Sequence, residues 1–119
     1  LILAYSQCIA QGVNMEFGMS HQKEVVLAGL WPLYRYDPRL AHADGKPFQL
    51  DSRKPKIPFE ELAMKEGRYA MLTRSNPERA KQLFEMAQND INDQWSFYEQ
   101  LAGIGRNISG TEELDETGD

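Results

Sequence analysis

The chain has 119 residues, a net charge of -5, 41% hydrophobic residues, 26% charged residues and one cysteine. This length corresponds to one domain or less, and the composition is that of a globular protein. Because residues 106–119 hold five acidic residues and one arginine, the remainder is nearly neutral and lacks the basic stripe of a nucleic-acid-binding protein. No apolar run approaches the roughly 20 residues of a membrane span. We therefore expect partners other than nucleic acid and membrane.

The chain opens on a continuous apolar run, residues 1–5, which predicts a strand covered on both faces. Residues 6–12 predict a turn in which Gly12 supplies a positive φ. In open α/β sheets, ligands gather at the carboxyl ends of strands, so this turn is where we expect chemistry. The sequence starts within the predicted strand and without methionine, and we therefore expect it to be the C-terminal piece of a longer protein.

A first helix is predicted next, with Ser20 as its N-terminal cap and an apolar face over residues 25–30. Gly29 and the Trp31-Pro32 pair are predicted to end it, because the residue before a proline is pushed out of the helical region. A short strand is predicted at residues 33–36, followed by a proline-rich irregular connector over residues 37–58. A second short strand is predicted within this connector, at residues 48–50. This part of the chain is thus predicted to be mostly irregular.

The second half of the chain is predicted to be helical. Pro58 opens a short helix over residues 59–64, and residues 68–74 predict a further helical segment. The clearest element is a long helix with Asn76 as its cap and apolar residues at intervals of three and four up to residue 102. We interpret its aromatic residues as core packing rather than as a binding stripe; they are Phe84, Trp95 and Tyr98.

Cys8 is the candidate functional residue. From the residues alone, it is either a buried, inert thiol or a ligand to a metal or an iron–sulfur cluster. A 4Fe–4S cluster is held by four thiolates, so three would have to come from outside this sequence. His21 and His42 are too far apart, and too poorly supported by cysteines, to predict a zinc site. Both interpretations of Cys8 stay open at this point.

Several motifs resemble one enzyme family. The motifs are AYSQCIAQG at residues 4–12, WPLYRYDP at residues 31–38, and the later Pro47-Phe48, Leu50-Asp51-Ser52 and Arg68-Tyr69 groups. Together they resemble the C-terminal region of the single-chain pyruvate:ferredoxin (flavodoxin) oxidoreductases, over residues 1–102. The WPLYRYDP string is the most specific of these signals, whereas a long helix alone would indicate no particular family.

The resemblance implies a large homodimeric enzyme that oxidatively decarboxylates pyruvate to acetyl-coenzyme A. Such enzymes use magnesium and thiamine diphosphate, and they pass electrons through 4Fe–4S clusters to ferredoxin or flavodoxin. The resemblance implies that Cys8 is the last of four thiolates on the cluster nearest the thiamine. It also implies that the thiamine-binding and magnesium-binding residues lie outside this stretch, so this chain alone is expected to be inactive.

The expected fold is therefore an α/β fragment in three parts. Residues 1–46 would be the end of a thiamine-diphosphate-binding domain, as a strand plus a helix, and residues 47–105 a mainly helical C-terminal extension. Residues 106–119 would be a disordered acidic tail. Expected partners are the remainder of the parent chain, a second copy, and ferredoxin or flavodoxin, in the cytoplasm because a single cysteine favours a reducing compartment.

Two alternatives accompany this interpretation. The chain could instead be a non-catalytic helical module that docks on a partner or forms a dimer interface. It could also come from a relative that acts on another 2-oxoacid, since no substrate pocket is implied within this stretch. Cys8 separates the first alternative from the enzyme, because only the enzyme needs its thiolate.

Overall fold

A computed structural model describes residues 1–43 and 45–105. The chain forms two short turns of 3-10 helix, Ile9–Gln11 and Met15–Phe17, and then a series of regular elements. In chain order these are α1 (Gly18–Leu27), β1 (Tyr34–Tyr36), α2 (Leu40–Ala43), β2 (Phe48–Leu50), α3 (Phe59–Ala63), α4 (Gly67–Ser75) and α5 (Pro77–Gly103). The predicted acidic tail, residues 106–119, lies outside the described residues.

Helix α5 is the element on which the others pack. The Asn76 side chain accepts a 3.1 Å hydrogen bond from the Arg79 backbone N–H, and Pro77 occupies the first helical position. The helix has 27 residues, which corresponds to a length of about 40 Å. Its buried face comprises Ala80, Phe84, Ile91 and Trp95. The predicted helix, its cap and the packing role of its aromatic residues are confirmed.

Helices α3 and α4 pack against the first half of α5. The rings of Phe59, Tyr69 and Phe84 meet edge to face, with centroids 5.7 to 6.1 Å apart. The Phe59 backbone N–H, which starts α3, donates a 2.8 Å hydrogen bond to Gln88 Oε1 of α5. Both predicted helical segments are confirmed, although Pro58 stands just before α3 rather than in its first position.

Strands β1 and β2 form an antiparallel pair in which Tyr36 lies opposite Phe48. The sheet packs on the second half of α5, because the Tyr98 ring lies 5.2 Å from that of Tyr34 and 6.0 Å from that of Phe48. Both predicted short strands are confirmed.

The connector between the strands contains α2, which the sequence analysis did not predict. Asp37 accepts a 3.0 Å hydrogen bond from the Arg39 backbone N–H, and the Leu40 N–H donates to the Asp37 carbonyl. Aspartate followed by proline has the chemistry of a helix start, whereas the density of prolines in residues 37–58 predicted only an irregular connector.

Helix α1 begins at Gly18, so the prediction of Ser20 as its cap is wrong. Phe17 stands at the N-cap position of α1 and makes no side-chain capping bond. A side-chain cap lies one turn earlier, where Asn14 Oδ1 accepts a 3.1 Å hydrogen bond from the Glu16 N–H and starts the 3-10 turn that leads directly into α1. The predicted end of the helix is confirmed by Gly29, which has a φ of 76°. Val25 and Ala28 of this region pack with Leu62 into a second small core.

Residues 1–5 form no strand, and the predicted buried strand is wrong. Leu1, Ile2 and Leu3 are 113%, 91% and 67% exposed. Within the described ranges, the only sheet is the β1–β2 pair, so these residues have no neighbouring strand. An apolar run indicates a tendency to be buried, whereas a strand also needs a partner backbone to pair its N–H and C=O groups.

The architecture is thus a small α/β unit of helices and one short antiparallel sheet. The predicted α/β class is confirmed at this level. Of the helices in the part of the chain that the structure describes, none has both the length and the apolar character to cross a membrane.

Candidate functional site

Cys8 lies within residues 5–13, which we call the cysteine loop. Its thiol is exposed, and its backbone is extended, with φ of -127° and ψ of 131°. The Cys8 carbonyl accepts a 3.0 Å hydrogen bond from the Gln11 N–H, so Cys8 stands at the start of the 3-10 turn Ile9–Gln11. In this structure the thiol is therefore an accessible group beside an ordered turn, not a core side chain.

The first half of the cysteine loop is attached to α1 and to the chain that follows it. The Tyr5 carbonyl accepts a hydrogen bond of 3.5 Å from Gln22 Nε2, and the Tyr5 ring lies 5.7 Å from that of Trp31. The Gln7 amide lies against Gly18, where any Cβ would overlap it. This contact places the residue before Cys8 against the start of α1.

The second half of the cysteine loop is attached to the start of α4. Gly12 has a φ of 83°, as predicted, and its carbonyl accepts a 3.0 Å hydrogen bond from the Gly67 N–H. A Cβ on Gly12 would lie 2.7 Å from Gly67 Cα, so the two backbones are in direct contact. Val13 then pairs with Glu66 in an isolated antiparallel bridge. Two glycines thus allow the loop to pack directly on α4.

A buried polar pair lies beneath this attachment. His21 of α1 and Glu66 are each only 4% exposed, and His21 Nε2 is 2.9 Å from Glu66 Oε1. Glu66 is also the partner of Val13, so the pair links α1, the cysteine loop and the start of α4. Burial, followed by the neighbouring Glu66 carboxylate, raises the pKa of both Tyr5 and Tyr69. The Glu66 carboxylate therefore acts on His21 and on both of these tyrosines.

His21 lies in the first turn of α1, within the helix predicted after residue 20, whereas Glu66 is not among the predicted site residues. A signal for both was present. His21 precedes the buried Val25 by four residues, and Glu66 follows the buried Leu62 by four residues. Ionisable residues in phase with apolar residues at helical spacing indicate buried polar groups that need partners.

A cavity of about 1200 Å³ lies between residues 1–3 and strand β1. Its charged side chains pair with one another: Arg35 makes two 2.8 Å hydrogen bonds to Asp51, and Arg39 bonds to Asp37. Hydrogen bonds from Arg39 lower the pKa of Asp37 to about 2. Because these four charges are already partnered, none of them is a free acid or base in the described lining of the cavity.

In residues 1–43 and 45–105, no three or more His, Cys, Asp or Glu side chains converge as a metal site. Cys8 is exposed and has no second cysteine in the sequence. One accessible thiol on an ordered turn fits the role of a single cluster ligand, with the other thiolates supplied from outside this chain. Among the described residues, Cys8 does not form part of such a group.

No protein-family model matches this chain. Its sequence is 51% identical over 102 residues to the pyruvate-flavodoxin oxidoreductase of Trichormus variabilis, and 48% identical over 102 residues to that of Nostoc sp.. It is 43% identical over 102 residues to the pyruvate:ferredoxin oxidoreductase of Moorella thermoacetica. Each match covers 86% of this chain but only 8% to 9% of the relative. The resemblance predicted from the motifs is confirmed, and the chain is a homologue of a short part of the pyruvate:ferredoxin (flavodoxin) oxidoreductases.

Proposed function

We propose that this chain is the C-terminal part of an enzyme that oxidatively decarboxylates pyruvate to acetyl-coenzyme A and passes the electrons to ferredoxin or flavodoxin. The observation that carries the proposal is the 51% identity to a pyruvate-flavodoxin oxidoreductase over 86% of the chain. Thiamine diphosphate, magnesium and coenzyme A would be bound by residues outside this chain. The chain alone would be inactive.

Within that enzyme, we propose that Cys8 is one of four thiolates on a 4Fe–4S cluster. Such a cluster, when bound, supplies one-electron transfer. The residues of this chain present the thiol: the turn Ile9–Gln11 follows it, and contacts at Tyr5, Gln7 and Gly12 hold the loop on both sides. Exposure of the thiol supports the proposal, because a ligand must be reachable by a group bound elsewhere.

The division of the chain into residues 1–46, 47–105 and 106–119 stays a prediction, as do the homodimer and the cytoplasmic location. The other proposed role, a non-catalytic docking or interface module, is favoured by the exposed apolar side chains of Leu1, Ile2 and Leu3. Leu1, Ile2 and Leu3 could form an interface in either role. Cys8, in contrast, would be a cluster ligand only in the enzyme. A relative specific for another 2-oxoacid would keep the same role for Cys8.

The test uses the full-length enzyme that contains this sequence. Iron content and low-temperature electron paramagnetic resonance are compared between the wild type, Cys8→Ala and the control Ser6→Ala. Ser6 is an exposed neighbour whose hydroxyl, among the described residues, donates a 3.4 Å hydrogen bond to the Gln7 carbonyl, so its loss should leave the clusters intact. We expect Cys8→Ala to lose one cluster signal and about four iron atoms per protomer. Full iron content and an unchanged spectrum would contradict the proposal and favour the interface module.

A further inference from the structure

The buried pair of His21 and Glu66 has no part in the function proposed above, yet burying ionisable groups is costly unless they satisfy one another. Both are 4% exposed and 2.9 Å apart, and they come from α1 and from the residue just before α4. We propose that this pair is a positioning element, which fixes the cysteine loop between α1 and α4 and thereby sets the orientation of the Cys8 thiolate. The inference rests on the proposed function, because it concerns how a ligand is held.

The path from Glu66 to Cys8 is short and consists of backbone contacts. Glu66 pairs with Val13, and the next residue, Gly67, donates a 3.0 Å hydrogen bond to Gly12. The Gly12 N–H in turn donates a 2.9 Å hydrogen bond to the Ile9 carbonyl, and the Gln11 N–H donates a 3.0 Å hydrogen bond to the carbonyl of Cys8 itself. A displacement of Glu66 is therefore transmitted to Cys8 through hydrogen-bonded backbone rather than through flexible side chains.

A second ion pair joins the same two regions and provides a matched comparison. Lys65 Nζ lies 2.7 Å from Glu24 Oε1. Lys65 is next to Glu66 in the chain, and Glu24 follows His21 by three residues. The Lys65 side chain is 44% exposed and the Glu24 side chain 28% exposed. Exposed ion pairs contribute little to stability, and neither residue of this pair contacts the cysteine loop through a hydrogen bond described in the structure. The substitution of Glu24 therefore removes a charge between α1 and the residues before α4, while the buried pair of His21 and Glu66 stays in place.

The consequence of a loose loop would appear at the cluster. Groups beyond the direct ligands orient them, and their mutation typically weakens metal binding about 10- to 100-fold. Glu66→Ala leaves the buried His21 without its partner, so the side chain that fixes residue 66 on α1 is lost, although the backbone bridge from residue 66 to Val13 can still form. Glu66→Gln keeps an oxygen that can accept from His21 Nε2, so it retains the anchor while it removes the charge.

The experiment uses the full-length enzyme with Glu66→Ala, Glu66→Gln and the control Glu24→Gln. The readouts are the electron paramagnetic resonance signal and midpoint potential of the cluster bound by Cys8, and the rate of iron loss to a chelator. For Glu66→Ala we expect a shifted or broadened signal and iron loss at least about tenfold faster. Glu66→Gln and Glu24→Gln should retain the wild-type signal, potential and rate.

If Glu66→Ala does not fold, the double variant His21→Leu/Glu66→Leu removes the pair without leaving a buried ionisable group unpaired, and it is measured with the same readouts and the same expected result. Gly67→Ala then tests only the next step of the path, from the start of α4 to Cys8. Its Cβ would lie 3.3 Å from Gly12 Cα, so it displaces the cysteine loop by a few tenths of an ångström without removal of the buried pair. We expect an altered signal with full iron content. Wild-type signal, potential and iron retention in the variants that remove the pair would overturn the inference. That failure differs from a failure of the proposed function, in which Cys8→Ala itself would keep every cluster.

Discussion

Helix α5 and the cysteine loop are held in place by different kinds of contact. Helix α5 is specified by residues close together in sequence: its cap bonds three residues ahead, and its buried side chains recur at helical intervals. The cysteine loop has no such local pattern. It is held by residues far along the chain, as in the contacts of Tyr5 with Trp31 and of Gly12 with Gly67.

This difference explains where the candidate chemistry lies. A helix that packs along most of its length provides a rigid support, which α3, α4 and the β1–β2 sheet share. The cysteine loop is instead joined to α1 and α4 by a few specific contacts, so a single substitution can change its position. Cys8 is exposed on this loop. Functional groups commonly lie on loops positioned by such a scaffold.

The largest expected effect is on the scaffold. Phe84→Ala removes a ring that is 6% exposed and that contacts both Phe59 and Tyr69. We expect the free energy of opening of α5, measured by hydrogen exchange, to fall by about 3–5 kcal/mol. The control Phe97→Ala removes a ring that is 54% exposed, and it should change that free energy far less. Equal losses in the two variants would show that α5 is not supported by this core.

The next effect is on the cysteine loop. Gly12→Ala places a Cβ 2.7 Å from Gly67 Cα at a residue with a φ of 83°. The left-handed conformation and the overlap should together lower the free energy of opening of residues 5–13 by about 2 kcal/mol or more, with α5 unaffected. Gly103→Ala is the control, because no atom lies within 4 Å of its added Cβ. Hydrogen exchange measures the free energy of opening of both segments. An equal fall of this free energy in α5 would show that the cysteine loop and α5 do not open independently, which would contradict our account.

A smaller effect separates the two asparagine caps. Asn76→Ala removes the cap of the 27-residue helix α5, and we expect the opening free energy of its first turn to fall by about 1 kcal/mol. Asn14→Ala removes the cap of the three-residue turn Met15–Phe17, which has fewer hydrogen bonds to lose. The same hydrogen-exchange measurement should show a smaller change there, and the reverse order would contradict our account of α5.

The smallest effect is a dependence of stability on alkaline pH. The pKa of Tyr69 is raised in the folded chain, first by burial and then by Glu66. The unfolded chain therefore loses its phenolic proton at a lower pH than the folded chain. Stability is unaffected below the unfolded pKa of about 10 and falls as the pH rises above it.

Urea titrations at pH 9 to 11 would measure this slope. Tyr69→Phe should make it shallower, whereas Tyr36→Phe, which removes a hydroxyl from a residue that is 53% exposed, serves as the control. A slope that is the same in Tyr69→Phe and in the wild type would show that Tyr69 does not contribute to it.

Local sequence patterns were sufficient to predict α3, α4, α5 and both strands, because caps, prolines and helical spacing act over a few residues. They were insufficient where a distant partner decides the structure. The apolar residues 1–5 predicted a strand, but no described strand lies beside them. The cap of α1 was assigned to Ser20, although the 3-10 turn capped by Asn14 already starts the helical path.

The same limit applies to the candidate site. The sequence identified Cys8 and the positive φ of Gly12, and the motifs around them predicted the family correctly. It did not predict the pairing of His21 with Glu66, because these residues are 45 positions apart and tertiary contacts bring them together, among them the packing of α1 on α3 and the bridge from Val13 to Glu66. Buried polar pairs of this kind depend on tertiary structure, even though each residue shows a helical phase that suggests burial.

The most direct test of the account is the reactivity of Cys8 in the full-length enzyme. The protein would be treated anaerobically with iodoacetamide before and after removal of its clusters, and the peptide that contains Cys8 would be quantified by mass spectrometry. A cluster ligand is protected until the cluster is removed and is then alkylated, because its loop presents an exposed thiol. We predict that change. Alkylation to the same extent in both states, or in neither, would contradict the assignment of Cys8 as a ligand.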